Sequence, residues 1–275
     1  MTKIKLALCQ MNVIDNKEKN LENATFMIEQ SKSKNVDMIV LPEMFNCPYS
    51  NDKFIEYAEE ENNSFTLNKI SNLAKKNDVY ILAGSIPEKE NDKLYNTSYL
   101  FDKRGNIMAK HRKMHLFDID VKGKITFKES DVLTAGDEVT IADTEFGKIG
   151  IGICYDVRFP ELARIMVENG ALILFYPGAF NMTTGPAHWE LLFRSRALDN
   201  QVYCVGVAPA LNEEASYHSF GHSIIANPWG EIIAEADEKE NLIISEIDLS
   251  EIKRIREELP LLKNKREDLY EVKRK

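Results

Sequence analysis

The sequence predicts an α/β protein whose mixed sheets are covered by helices. Short apolar runs typical of strands alternate with amphipathic segments typical of helices, and hairpin patterns are interleaved with them. A chain of 275 residues with 44% hydrophobic content can bury one large core. Neither a linker nor a low-complexity segment divides the chain, so we expect a single domain over residues 1–275.

The first half of the chain predicts strands, helices and one hairpin. Ile4, Leu6 and Leu8 alternate with less apolar neighbours, as a strand does. Residues 36–41 form a run that is apolar except for Asp37, which suits a strand buried on both faces. The predicted elements are, in order, strand 4–8, helix 16–34, strand 36–41, helix 67–74, strand 79–84, and a hairpin with strands 95–101 and 107–110 around the turn 102–106.

The second half shows the same alternation of strands and helices. Pro160 follows a glycine-containing apolar strand and is well suited to the first position of a helix. The predicted elements are strand 149–153, helix 160–169, strand 172–176, helix 187–200, strand 202–208 and a closing hairpin that turns at 227–230.

Three polar residues follow strand-like segments, and together they supply the parts needed to break an amide bond. Glu43 follows the strand at 36–41, Lys113 follows the hairpin, and Cys154 follows the strand at 149–153. Strand ends are where open α/β sheets build their sites, and a sharp strand-to-helix turn presents a nucleophile at the rim of the sheet. A carboxylate, an ammonium group and a thiol can serve as base, charge stabiliser and nucleophile.

Each of these residues taken alone has an ordinary structural explanation. A cysteine at a strand end is usually buried in the core. A glutamate after Leu-Pro usually caps a helix or is solvated, and a lysine in a basic run usually lies on a solvated surface. Their combination favours the catalytic interpretation over all three.

The surrounding segments resemble those of the nitrilase, or carbon–nitrogen hydrolase, superfamily, and in particular its omega-amidase branch. The similarity covers residues 3–270, and the segments that resemble the family most specifically lie at 111–120, 127–130, 176–190, 194–201 and 227–231. The resemblance implies a Glu-Lys-Cys catalytic triad made of Glu43, Lys113 and Cys154. It also implies a four-layer α-β-β-α sandwich, with two sheets face to face and helices outside.

The expected chemistry begins with Glu43, which takes the proton of the Cys154 thiol, while Lys113 favours the thiolate. Lys113 and the backbone N–H of Tyr155 then hold the oxyanion that forms when sulfur attacks the carbonyl carbon. Ammonia leaves, and a thioester on Cys154 is hydrolysed. The resemblance adds Glu129 as a supporting carboxylate that orients the lysine, although a glutamate at this position is ordinarily a surface loop charge.

The resemblance also implies a set of residues that line the substrate pocket, namely Tyr49, Arg158, Phe180, Thr183 and Thr184. Arg158 has two interpretations, since arginine binds carboxylates bidentately in either role. It contacts a substrate carboxylate, or it pairs with Asp156 or Glu161 and braces the turn. For Tyr49 and the two threonines the alternatives are a turn tyrosine and a loop that caps a helix.

The leading functional hypothesis is hydrolysis of a small dicarboxylate monoamide, such as 2-oxoglutaramate or 2-oxosuccinamate, to the 2-oxo acid and ammonia. The same triad could instead act on deaminated glutathione, an N-carbamoyl compound or a nitrile. The Cys-Trp-Glu sequence typical of nitrile-cleaving members is absent, since Cys154 is followed by Tyr155 and Asp156. A binding protein on an inactive hydrolase fold is disfavoured because all three triad residues are present.

Bulk properties exclude several other classes. The net charge of −9 argues against a nucleic-acid partner, and no apolar run is long enough to span a membrane. The N-terminus lacks a secretory-signal pattern, so we expect a cytoplasmic protein. The four cysteines lack zinc or disulfide spacing. His111 and His115 stand four residues apart, but the basic residues between them would repel a cation, so neither a metal nor another cofactor is expected.

The helix at 187–200 carries Trp189, Arg194 and Arg196, which we interpret as packing or subunit contacts. Members of the family commonly dimerise through such a helix. The resemblance therefore implies at least a homodimer.

Overall fold

The structure is a computed structural model that describes residues 2–123 and 125–275. These residues form two six-stranded sheets, a two-stranded ribbon and six α-helices. The strands are β1 (Lys3–Gln10), β2 (Met38–Val40), β3 (Tyr80–Glu90), β4 (Lys93–Phe101), β5 (Ile107–Arg112), β6 (Asp118–Val121), β7 (Ile125–Lys128), β8 (Thr140–Thr144), β9 (Gly147–Ile151), β10 (Ala171–Pro177), β11 (Tyr203–Val207), β12 (Ile224–Ala226), β13 (Ile232–Glu235) and β14 (Asn241–Asp248). The helices are α1 (Lys17–Lys32), α2 (Asn51–Tyr57), α3 (Phe65–Asn77), α4 (Pro160–Glu168), α5 (Gly185–Asn200) and α6 (Ser250–Glu258), with short 3-10 turns at Glu61–Asn63, Glu129–Asp131 and Cys154–Arg158.

The two large sheets have the same size and a similar plan. The first has the strand order β14-β1-β2-β3-β4-β5, and the second has the order β13-β12-β11-β10-β9-β8. In each sheet three neighbouring strands are parallel, β1-β2-β3 in the first and β9-β10-β11 in the second. Both sheets are completed by antiparallel strands at their edges.

Strand β1 shows how the layers form. Ile4, Leu6 and Leu8 lie in the apolar cluster between the sheets, together with side chains of β9 and β10. Ala7 and Cys9 lie on the other face, in the cluster shared with α1 and α3. This alternation follows from the two-residue period of a strand.

The second sheet is covered in the same way on its outer face. Leu174 and Cys204 of the sheet pack with Met166 of α4 and with Trp189 and Phe193 of α5. Helix, sheet, sheet and helix therefore stack in that order around a shared core. The predicted four-layer α-β-β-α sandwich is confirmed.

Most predicted elements occur, with boundaries that local contacts explain. The first helix begins at Lys17 because the Asn16 side chain accepts a hydrogen bond from the Lys19 N–H, as an N-cap residue does. Helix α5 begins at Gly185, two residues before the predicted start. The β6-β7 ribbon, α2, α6, β8 and β14 were not predicted from the sequence.

Among residues 2–123 and 125–275, no helix is both long and apolar enough to cross a membrane.

Candidate active site

Glu43 lies just past the end of β2, where Leu41 and Pro42 lead the chain out of the first sheet. Its side chain is fully buried. Asn96 Nδ2 and Lys113 Nζ donate to Oε1 at 2.8 and 3.0 Å, and the Ala179 N–H donates to Oε2 at 2.7 Å. Three donors therefore fix both oxygens of this carboxylate.

Lys113 follows β5 and carries a fully buried ammonium group between two carboxylates. Its Nζ lies 3.0 Å from Glu43 Oε1 and 2.9 Å from Glu129 Oε1. Burial alone would lower the pKa of Lys113, but the charges of Glu129 and Glu43 oppose this and hold the pKa well above its usual value. The two carboxylates therefore favour the charged form of the lysine.

Glu129 enters the site from the end of the β6-β7 ribbon, and its side chain is fully buried. Its Oε1 accepts from Lys113 Nζ and, at 2.5 Å, from the Tyr49 hydroxyl, while Oε2 accepts from the Phe117 N–H at 2.6 Å. Burial raises the pKa of Glu129, and the positive charge of Lys113 opposes that shift. The carboxylate thus ties the ribbon to the lysine.

Cys154 begins the short 3-10 turn that follows β9, and its φ of 47° lies in the left-handed region. Such a conformation costs a non-glycine residue about 1–3 kcal/mol and is common at active sites. The residue is 4% exposed. Burial raises the pKa of the Cys154 thiol well above its usual value, the Glu43 charge raises it further, and Lys113 opposes both. Burial and the charge of Glu43 therefore favour the protonated thiol, and the charge of Lys113 favours the thiolate.

The turn at Cys154 is supported from both ends. Gly152 precedes it, and a Cβ there would lie 2.5 Å from the Tyr176 ring. Arg196 of α5 donates to the carbonyls of Val157 and Arg158 at 2.7 and 3.1 Å, at the far end of the turn. The first hydrogen bond of the turn runs from the Asp156 N–H to the Ile153 carbonyl at 3.0 Å. The Tyr155 N–H, one residue earlier, is one of the N-terminal donors for which a helical turn provides no acceptor of its own.

Arg158 closes this turn and is half-buried among aromatic rings. Its guanidinium lies 4.6 Å from the Phe180 ring centre and 5.4 Å from that of Tyr155, and Nη1 lies 3.1 Å from His188 Nδ1. In the part of the chain that the structure describes, no carboxylate forms a salt bridge with it, so pairing with Asp156 or Glu161 is not observed. Burial lowers the pKa of Arg158 from its usual value.

The other predicted pocket residues lie on two segments, one that carries Tyr49 and one, between β10 and α5, that carries Phe180, Thr183 and Thr184. Tyr49 contacts Glu129, and its hydroxyl is also 3.4 Å from Glu43 Oε1. Thr183 and Thr184 precede α5, and both donate their N–H to Asn181 Oδ1 at 2.9 Å. The two threonines therefore belong to the loop that starts this helix, and their contact with substrate stays a prediction.

Several groups that position Glu43 and Tyr49 were missed by the sequence analysis. Asn96 lies in the middle of β4, and Tyr217 lies in the loop between β11 and β12. The Tyr217 hydroxyl donates to the Ala179 carbonyl at 2.6 Å, and its ring lies 4.6 Å from that of Tyr49. Backbone donors such as Ala179 carry no side-chain signal. The only cue for Tyr217 was an aromatic residue in a polar loop.

A cavity of about 40 Å³ reaches the Glu43 side of the site. Its walls include Tyr49, Ala179, Asn212 and Tyr217. In residues 2–123 and 125–275, no group of three or more His, Cys, Asp or Glu side chains is arranged to hold a metal ion.

The class of protein follows from its match to a known family. The family model for carbon–nitrogen hydrolases matches residues 5–257 of this chain. The chain therefore belongs to the carbon–nitrogen hydrolase family, and it is an amide-hydrolysing enzyme. This confirms the resemblance to the nitrilase superfamily.

Individual relatives agree with that assignment. The chain is 48% identical over 275 residues to the omega-amidase NIT2 of Bos taurus, covering 100% of this chain and 99% of the relative. It is 50% identical to the omega-amidase NIT2-A of Xenopus laevis, with the same coverage. The crystal structure of Saccharomyces cerevisiae Nit3, described as a member of branch 10 of the nitrilase superfamily, superposes with a TM-score of 0.89 at 44% identity, covering 96% of this chain and 97% of that one.

Proposed function

We propose that this enzyme hydrolyses the terminal amide of a small dicarboxylate monoamide, such as 2-oxoglutaramate or 2-oxosuccinamate, to the 2-oxo acid and ammonia. Two lines of support bear on the substrate. Relatives that share about half of its residues over the full length are omega-amidases by name. The observation that carries the proposal is Arg158, a half-buried guanidinium that forms no salt bridge within the described residues and lies one turn from Cys154.

In the proposed reaction the Cys154 sulfur attacks the amide carbon while Glu43 accepts the thiol proton. The negative charge that develops on the carbonyl oxygen is held by Lys113 and the Tyr155 N–H. Two of the three protons on Lys113 Nζ point to Glu43 and Glu129, and the third meets only the Tyr49 hydroxyl, at 3.3 Å. That proton is the one available to the oxyanion.

The tetrahedral adduct then collapses. Glu43 returns its proton to the amide nitrogen, the carbon–nitrogen bond breaks, and ammonia leaves a thioester on Cys154. Glu43 next accepts a proton from water, whose oxygen attacks the thioester carbon. The carbon–sulfur bond breaks, the acid departs, and the proton passes back to the sulfur. Glu43 serves as base and then as acid both when the thioester forms and when it is hydrolysed. The donors to both of its oxygens keep the carboxylate in one place through these steps.

Glu129 and Tyr49 have supporting roles in this proposal. Glu129 holds the lysine at 2.9 Å and provides the second negative charge that keeps it protonated. Tyr49 shares its hydroxyl with Glu129 and so limits the orientations open to that carboxylate. Neither group reacts with the substrate.

At the far end of the substrate, Arg158 is proposed to bind the carboxylate through its planar fork of N–H donors. Phe180 and Tyr155 hold the guanidinium in place from the side. Thr183 and Thr184 are proposed to add hydroxyl contacts near the same end.

Ammonia release from a panel of substrates tests the proposal. We expect 2-oxoglutaramate or 2-oxosuccinamate to exceed deaminated glutathione, N-carbamoyl amino acids, simple nitriles and neutral amides in kcat/KM. A charged hydrogen bond in a desolvated site contributes ~1.5–3 kcal/mol, which corresponds to about 10- to 150-fold over a neutral amide of equal length. Preference for any other member of the panel would refute the omega-amidase assignment.

A further inference from the structure

The two histidines on either side of Lys113 share one partner. His111 and His115 lie two residues before and two residues after the lysine, and both contact Asp156, which lies two residues after Cys154. His111 Nε2 is 3.0 Å from Asp156 Oδ2, and His115 Nδ1 is 2.7 Å from Oδ1. The two histidines have the spacing of metal ligands, but both rings contact the Asp156 carboxylate.

Asp156 is fully buried and saturated with donors. Beside the two rings, the His115 N–H donates to Oδ1 at 2.9 Å, and the Ile153 N–H donates to Oδ2 at 2.9 Å. Burial alone would raise the pKa of Asp156, but the hydrogen bonds from His111 and His115 hold it below its usual range. Because an ionised carboxylate only accepts hydrogen bonds, the contacting nitrogen of each ring carries the proton.

Three of these bonds, from His111 and from the ring and backbone of His115, join parts of the chain that belong to different sheets, and the fourth, from Ile153, lies within the Cys154 turn. His111 lies in β5 of the first sheet, and His115 lies in the segment that follows Lys113. Ile153 and Asp156 flank Cys154 at the end of β9, in the second sheet. The relative position of ammonium and thiol therefore depends on contacts across the interface between the sheets.

The backbone at Cys154 provides a second, independent reason for such a contact. Its φ of 47° is unfavourable for a cysteine and persists only where surrounding bonds fix it. Asp156 binds the N–H of the preceding residue, Ile153, and so holds the chain directly before the strained position.

We propose that Asp156 is a positioning residue, which uses His111 and His115 to hold the Lys113 segment at a fixed distance from the Cys154 turn. The inference rests on the proposed roles of Cys154 and Lys113 and extends them. It assigns Asp156 no contact with substrate and no proton transfer. A displacement of about 1 Å between reacting groups lowers the rate of the chemical step by up to about 100-fold. Loss of the Asp156 contacts should therefore lower kcat and leave KM nearly unchanged.

His115 allows the contact to be separated from packing, because its ring is partly exposed and stacks on Phe159 with centres 3.6 Å apart. His115→Phe keeps the stacked ring and the backbone N–H donor and removes only the donor at Nδ1. His115→Asn removes the ring and keeps a donor near the position of Nδ1. We expect His115→Phe to lose about 10- to 100-fold in kcat with KM within about twofold of the wild type. We expect His115→Asn to stay within about threefold of the wild type.

Alkylation of Cys154 by iodoacetamide, followed by mass spectrometry, gives a readout that does not need an amide. The labelling rate should fall in His115→Phe and recover in His115→Asn. The kinetic arm uses whichever amide the wild type hydrolyses fastest, so a wrong substrate assignment leaves this test intact. The proposal is overturned if His115→Phe keeps its kcat and labelling rate, or if His115→Asn is as impaired as His115→Phe.

Asp156→Asn should lose at least as much kcat, because its amide nitrogen would face a donor. If that variant does not fold, the His115 pair decides the question. Glu59→Gln is the matched control, since Glu59 is a mostly buried carboxylate that accepts from Ser64 Oγ at 2.5 Å and from the Thr66 N–H at 2.9 Å. It should lower the melting temperature and leave kcat unchanged. An equal loss of kcat in the control would show that the effect is general destabilisation.

Discussion

Lys113 and Arg158, the two cations that the proposed mechanism uses, differ in burial, in charged partners and in the direction of their pKa shifts. Lys113 is fully buried, lies within 3.0 Å of two carboxylates and has a raised pKa. Arg158 is half-buried, has a lowered pKa and contacts a histidine and two aromatic rings. The protein supplies the counter-charge of Lys113 by itself. In the residues that the structure describes, it supplies no carboxylate for Arg158.

This difference separates catalysis from recognition. A cation whose charge is balanced inside the protein gains little from binding an anionic substrate, so Lys113 should act on every amide alike. A desolvated cation without a counter-charge favours a ligand that brings one. Arg158 should therefore set the preference for substrates that carry a carboxylate.

The largest expected effect is at Cys154, the proposed nucleophile, because the proposed roles of Lys113 and Arg158 both depend on it. Cys154→Ala should abolish turnover, because removal of the nucleophile from a catalytic triad costs about 10⁶-fold in kcat in well-studied cases. The side chain is small, so the fold should be retained. Ammonia release and a thermal melt measure the two quantities.

The other three cysteines, Cys9, Cys47 and Cys204, are equally buried and free, and burial raises the pKa of each thiol. They are internal controls in the wild type. A covalent substrate adduct trapped by mass spectrometry on any of them, instead of Cys154, would contradict the assignment.

The next largest effect is expected at Lys113. Lys113→Met should lower kcat by roughly two to three orders of magnitude, as loss of an oxyanion donor does, and to the same extent for anionic and neutral amides. Steady-state kinetics with both kinds of amide measure this. The variant also leaves Glu43 and Glu129 unpaired, and an uncompensated buried charge costs about 3–5 kcal/mol of stability.

Two controls keep the kinetic effect separate from folding and from metal chemistry. The double variant Lys113→Met with Glu129→Gln removes one of the two negative charges, so it should recover stability without recovering kcat. EDTA should leave the wild type unaffected. Activity that disappeared with EDTA and returned with zinc would remove Lys113 from the proposed role.

Most strands and helices, and the strand ends that carry Glu43 and Cys154, could be predicted because each depends on a local pattern. The run at residues 36–41, apolar except for Asp37, and the apolar strand before Cys154 are both followed by polar residues, which is sufficient to locate two of the three strand ends. The resemblance to a family supplied the pairing of the two sheets. Periodicity alone did not distinguish one mixed sheet from two.

The remainder depends on contacts between distant residues. Strand β14 was missed because it pairs antiparallel with β1, and Lys3 and Asp248 at one end of that pairing are 245 residues apart in the chain. Asn96 and Tyr217 reach the site from a strand interior and a loop, where asparagine and tyrosine have many ordinary uses. The partner of His111 and His115 was missed because a carboxylate 45 and 41 residues away gives no signal at their spacing.

The most direct test of the contrast between the two cations is a set of kcat/KM values for two variants and two amides. The substrates are 2-oxoglutaramate and pentanamide, which both have five-carbon chains, and pentanamide lacks the carboxylate and the 2-oxo group. Arg158→Lys retains a positive charge but loses the planar fork, so it should lose about 10- to 150-fold on 2-oxoglutaramate, mainly through KM, and little on pentanamide. Lys113→Met should lose equally on both. Equal losses on both amides for Arg158→Lys would show that Arg158 only braces the turn and would contradict the division between catalysis and recognition.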